Sequence, residues 1–233
     1  MASSAPTPAP PLRAADVLAL QDRLLAQAGW PSPAEPNPAV AQAAASNATA
    51  PEALWHWVST NHRYNSLLWA EEDLARRTQV ADADIAANKR AIDRYNQARN
   101  DATERVDELL LTALGLVEPA SARTDTPVST VAPGSRLNSE TAGSMIDRLS
   151  ILALKIDAMR AQTGRSDVDE EHRQSSRAKL SRLEQQRADL AGCLDALLAD
   201  CQAGRAHFKV YRQFKMYNDP RFNPVLVSEQ RGR

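Results

Sequence analysis

Aromatic residues make up only 5% of this chain, its 233 residues include only eight glycines, and no apolar run approaches the ~20 residues that cross a bilayer. Scarce rings and glycines argue against sheets and for helices, and the short apolar runs argue against a membrane span. There is no charge excess either. With a formal charge of -1 and 24% charged residues, no overall field recruits nucleic acid or an acidic membrane surface. The start, MASSAPTPAPPLR, lacks the charged opening and apolar core of a secretory signal. The two cysteines, Cys193 and Cys201, sit eight apart on one helical face, too far for a bridge within that helix, and read as reduced, buried thiols of a cytoplasmic protein. Four histidines, none at metal-ligand spacing, speak against a zinc site. A glycine-rich phosphate loop, CxxC, HExxH and GxSxG are all missing.

What is present is helical periodicity. Residues 1–50 are Pro- and Ala-rich and read as largely disordered, with one short helix over 12–28 carrying Leu18, Leu24 and Leu25. A single helical domain is expected over 51–225, followed by a tail at 226–233. Its first long helix runs from Pro51 to about Thr78, with proline in the first turn where a missing N–H costs nothing. Leu54 and Val58 set its inward face, and the same face continues through Asn61, Asn65, Glu72 and Arg76, with His62 and Trp69 alongside. A second helix, Asp82 to Leu116, places Ile85, Ile92, Val106 and Leu110 inward, bordered by Lys89, Asn96, Asn100 and Asp107.

Residues 117–137 hold three prolines without periodicity and read as a surface loop. The third helix, within 138–160, has two faces: Met145, Leu149, Leu152, Ile156 and Met159 form one, and Glu140, Gly143, Asp147, Ile151 and Leu154 the other, edged by Arg148 and Lys155. Such a helix is sandwiched, and its second neighbour must approach at Gly143 and answer Glu140 and Asp147. Asn138 or Ser139 would cap it and Gly164 end it. A fourth helix, introduced by Ser166 and Asp169, repeats Leu180, Leu183, Leu190, Leu194, Leu197 and Cys201 at heptad-like spacing. The tail carries Phe208, Tyr211, Phe214 and Tyr217 every third residue, with seven Lys/Arg against two acids from Gly204 onward. The expected architecture is all-α: an antiparallel bundle of four long helices, a short N-terminal helix and an aromatic, basic C-terminal tail.

Charge on a buried stripe is costly unless structure or function requires it, and Asn is a poor interior helix former. Asn65, Trp69, Glu72, Arg76, Lys89, Asn96, Asn100, Glu140, Asp147, Arg148 and Lys155 are therefore the candidate lining of a polar interhelical pocket. Its cations and amides suit a phosphorylated or nucleotide-linked sugar. Interhelical ion pairs and solvated faces are the structural alternative. Another is a Mg²⁺-dependent phosphohydrolase with Glu72, Asp73, Glu104 and Asp107 as oxygen ligands, although the ExxD at 104–107 is only half of the pattern all-helical NTP pyrophosphatases show. In a third, the chain is a non-catalytic partner that docks through its fourth helix or its tail. Whether it is an enzyme is left open by these residues.

Three segments, NSLLWAEEDLARR (65–77), KRAIDRYNQARNDATERVDELL (89–110) and NSETAGSMIDRLSILALKIDAM (138–159), followed by QFKMYNDPRFNP (213–224), resemble the bacterial family called domain of unknown function 4254. The resemblance covers about Leu54 to Pro224. It implies no known activity; it does imply a setting among glycosyltransferases of the heptosyltransferase type and other lipopolysaccharide or surface-glycan genes, hence a glycosyltransferase as partner. A fainter likeness joins the domain of unknown function 6165 family, whose two matching helices come in reversed order. If the two families are circular permutants, the contact of 65–76 with 143–155 is the shared feature.

Overall fold

The computed structural model describes residues 10–31, 50–213, 219 and 221–231. The expectations for residues 1–9, for the Ala-rich stretch up to 49 and for Phe214 and Tyr217 lie outside the described residues. Within them the protein is all-α, with strand confined to two dipeptides.

Helix α1, Ala14–Leu25, buries Val17, Leu20 and Gln21, and its first free amide, on Ala14, donates to Asp195 Oδ1 at 2.8 Å. Helix α2, Ala50–Leu74, carries Pro51 in its first turn and ends four residues short of the expected Thr78. Helix α3, Asp82–Ala113, stops where Gly115 turns to φ 67°, a left-handed backbone that lets the Leu116 amide reach back to the Leu111 carbonyl at 2.9 Å. Trp57 of α2 lies beside Arg105 of α3 and Glu71 beside Asn88, so the two helices run in opposite directions.

The stretch between Leu116 and Thr141 is a loop, as expected, but a tethered one. Val117 and Ala122 are buried, Val117 bridges Ser129, and Arg136–Leu137 (β1) pairs in parallel with Ala206–His207 (β2). Arg212 adds a clamp: its guanidinium donates to Glu104 and Glu108 of α3 and to the Ala122 and Thr124 carbonyls of the loop. Part of the basic tail is thus tied to its own fold.

Helix α4, Ala142–Thr163, is capped by Thr141, whose hydroxyl accepts from the Ser144 amide, and not by Asn138 or Ser139; the Asn138 amide is engaged by the His207 carbonyl in the strand pair. Gly164 ends it as expected. Helix α5, Glu170–Gln202, is capped by Asp169, which accepts from the His172 amide, while the expected Ser166 cap plays no such part. Helix α6, Pro224–Arg231, closes the described chain. Helices α4 and α5 also pack along each other, Arg160 reaching Glu184 at 3.3 Å.

The main apolar cluster joins Val17 of α1, Leu54 and Val58 of α2, Val106 and Leu110 of α3, Ile146 and Leu149 of α4, and Leu194 and Leu198 of α5. Phe208, the first ring of the tail, is fully buried in it, whereas Tyr211 is exposed. Each such side chain contributes ~1.5–3 kcal/mol on burial. Helix α4 is the shared member, touching α1, α2, α3 and α5. Both of its faces are therefore used, as the two-striped pattern requires.

Candidate functional site

Where α2, α3 and α4 meet, the apolar core gives way to a hydrogen-bonded polar layer. Its centre is Asp147, whose Oδ1 accepts from Asn61 and Asn65 Nδ2, both at 2.8 Å. Asn61 also donates to Thr103 of α3 at 3.1 Å, and Asn65 to Ser150 at 3.0 Å. Ser150 shares a 2.7 Å hydrogen bond with His62 Nδ1, and Trp30 stacks on the His62 ring while its indole N–H donates to Ser66. Burial, helped by nearby Arg187, pulls the His62 imidazole down to about 4, so it is neutral at physiological pH. His62 and Ser150 are fully buried, which denies this Ser–His pair any access to a substrate.

From this layer a groove of about 340 Å³ opens toward the Leu74 end of α2, lined by Asn65, Leu68, Trp69, Glu72, Asp73 and Arg76 of α2, Asn96 and Arg99 of α3, and Ile151 and Leu154 of α4. The contact between 65–76 and 143–155 is thus present. Five of the eleven candidate residues meet here: Asn65, Trp69, Glu72, Arg76 and Asn96. Arg76 pairs with Glu72 at 3.4 Å, both largely in solvent. Arg99 Nε is 3.9 Å from Asp147 Oδ1, and that buried N–H has no hydrogen-bond partner. Arg99, a charge on the same helical face three residues after Asn96, thus joins the five candidates in the groove.

The other candidates lie elsewhere. Glu140, Arg148 and Lys155 line a separate depression between α4 and α5, where Arg148 reaches Glu140 at 2.6 Å. Glu140, just ahead of α4, is therefore answered by Arg148 of that helix and not by a neighbouring one. Lys89 is exposed and paired with Asp93, and Asn100 accepts from Arg99 at 3.2 Å. The buried stripe expected through Arg76 and Lys89 has surfaced before it reaches them, because α4 meets the groove only through Ile151 and Leu154.

Gly143 supplies the closest approach. A Cβ there would lie 2.7 Å from the Thr103 carbonyl oxygen and 2.8 Å from Asp107 Cγ. Its amide, in the first turn of α4, donates to Asp107 Oδ1 at 2.6 Å. Burial raises the Asp107 carboxyl to about 7, with Glu104 and Glu108 adding to the rise, against the hydrogen bonds from Thr141 and Gly143 that pull it back. The four acids of the Mg²⁺ reading are not brought together. Glu104 is bound to Arg212 and Asp107 to Gly143, while Glu72 and Asp73 line the groove, where Glu72 pairs with Arg76. Among the described residues no group of three or more His, Cys, Asp or Glu is placed to hold a metal ion.

Fold and site together define an all-α protein with a buried Asn–Asp layer that opens into a mixed polar and apolar groove. Residues 55–210 match the model of the family described as "protein of unknown function (DUF4254)", and the chain belongs to that family. No curated protein and no solved structure matches it. Among the described residues no helix is long and apolar enough to cross a membrane.

Proposed function

We propose that this cytoplasmic protein, built on an antiparallel bundle of its four long helices, binds a phosphorylated or nucleotide-linked sugar in the groove between α2, α3 and α4 and so supports bacterial surface-glycan assembly. One observation carries the reading: the groove sets two guanidinium groups, Arg76 and Arg99, beside the amides of Asn65 and Asn96 and the ring of Trp69. Arginine forks suit phosphate oxygens, amides suit sugar hydroxyls, and an indole face suits a sugar or base ring. The buried Arg99 Nε–H without a partner is the donor such an anion would engage. The glycan setting comes from the family resemblance, which also makes a glycosyltransferase the natural recipient of the bound sugar.

The test is thermal unfolding with millimolar UDP-, GDP- and ADP-sugars and sugar phosphates. A ligand present at about 100 times its Kd adds ~2.7 kcal/mol, a rise of roughly 5–10 °C for a domain of this size. Arg76→Ala and Asn96→Ala alter only partly or fully exposed lining, so both should abolish the rise while leaving the ligand-free midpoint within ~2 °C. If no member of the panel moves the wild-type midpoint, the groove is not a sugar-phosphate site.

A further inference from the structure

On α4, Met145, Arg148, Leu152, Lys155, Met159 and Gln162 follow one another at alternating steps of three and four residues, and all line depressions between α4 and α5. The facing wall on α5, Lys179, Leu183, Gln186, Leu190 and Cys193, keeps the same alternation. This is the spacing at which two helices receive the side chains of a third. Two depressions, of about 740 and 460 Å³, meet at Lys155, making one seam roughly 33 Å long from the level of Glu140 to that of Gln162. No residue of α1 or α3 lines it, and α2 contributes only Trp69 at one end.

The charges along the seam are uneven. Glu140 and Arg148 satisfy each other, and Asp189 accepts from Gln185. Lys155, Lys179 and Arg182 gather round an apolar floor of Trp69, Met159 and Leu183, and none of the three makes an ion pair or hydrogen bond among the described residues. A second copy would set one cationic excess against another. A lone amphiphile would fill only the basic end and leave the partly exposed Leu152 uncovered.

We infer that the α4–α5 seam is a docking groove for an acidic amphipathic helix of a partner protein, its apolar stripe over Leu152 and Met159 and its acids at Lys155, Lys179 and Arg182. This face adjoins the sugar groove at Trp69 but does not depend on a ligand there.

Cys193, expected to be buried but exposed at the far end of the seam, provides the readout, since Cys201 is buried and its thiol is pushed up to about 11, which leaves it unreactive. The probe is a synthetic helix of about 20 residues, ~30 Å long, with leucines at three- and four-residue steps and flanking glutamates. It should slow alkylation of Cys193 in the full chain saturably. The double variant K179E/R182E should weaken the protection at least tenfold without moving the melting midpoint, and raised salt should weaken it in the wild type. Four results would overturn the inference: no protection by the acidic helix; equal protection by the same peptide with lysine in place of glutamate; protection by dodecyl phosphate but not by the peptide; or a chain that sediments as a dimer with Cys193 already shielded.

Discussion

Replacing Gly143 by alanine inserts a methyl where α3 and α4 touch, and the structure fixes its cost. The new Cβ would lie 2.7 Å from a backbone oxygen, short of ordinary contact by about 0.7 Å, and neither helix backbone can rotate away as a side chain would. Overpacking of this kind costs ~1–3 kcal/mol. Parting the helices also stretches the 2.6 Å bond from the Gly143 amide to Asp107, a bond to an acid worth ~1.5–3 kcal/mol when that acid is charged. Against this, alanine is the better helix former by ~1 kcal/mol. The net is a loss of ~2–4 kcal/mol, or roughly 5–15 °C in midpoint. Gly192→Ala is the control, because its Cβ would meet nothing within 4 Å, so the propensity gain should appear there alone. Urea and thermal unfolding of both variants, with the double variant Gly143→Ala/Asp107→Ala, would decide. Shortening Asp107 removes one of the two obstructions and should restore only part of the loss, since the Thr103 carbonyl remains. A Gly143→Ala protein as stable as wild type would refute the close approach, and with it the placing of α4 against α3.

Asp147→Ala should cost ~1–3 kcal/mol in urea unfolding, because it removes the acceptor that the buried Asn61 and Asn65 amides share and leaves them only their longer bonds to Thr103 and Ser150; Asp147→Asn keeps an acceptor oxygen and should cost less than half as much. The pH dependence should show two opposed slopes. Asp107, raised from 3.8 to about 7, holds a proton in the folded protein that the unfolded chain has released, so its contribution falls as pH rises through that window and is flat above it. His62, lowered from 6.5 to about 4, stays neutral when folded while the unfolded chain charges, so its contribution falls as pH drops from 6.5 toward 4. The two largely cancel in the wild type between pH 4 and 6.5. Asp107→Asn should expose a loss of stability in acid and His62→Gln a loss toward neutrality, read as melting midpoints across that range; parallel profiles for all three proteins would contradict both assignments.

Much of the fold was legible because it rests on periodicity. The inward Leu54, Val58, Val106 and Leu110 follow from 3.6-residue spacing alone and land in the core; of the two faces of α4, Met145 and Leu149 do so too, while Ile151 and Leu154 line the groove. Caps were less legible: Asn138, Ser139 and Thr141 are all competent residues, and the choice fell to Thr141 once Asn138 was taken up by pairing with His207. That pairing joins two dipeptides some seventy residues apart, which no local pattern announces. Residues 117–137 read as a surface loop for the same reason, since the anchors Arg212 and β2 come from the far end of the chain.

For the site, the type of polar residue was more informative than its position on a stripe. An amide carries no charge to desolvate, so Asn61 and Asn65 can follow the Leu54–Val58 face into the interior, and they do. Arg76 continues the same face and Lys89 borders that of α3, yet both stay in water, because covering them would have needed a partner that α4 does not supply at that level. The exceptions obey the same rule. Asp147 is largely enclosed only where two asparagines donate to it, and Asp107 is buried only where a glycine at a helix N-terminus brings a bare amide within 2.6 Å. Aligned Asn residues therefore mark how deep the polar layer runs, and the Arg residues mark where it meets solvent. The groove lies at that boundary, with Asn65 at its inner end and Arg76 at its mouth, which is where a ligand must exchange water for protein donors.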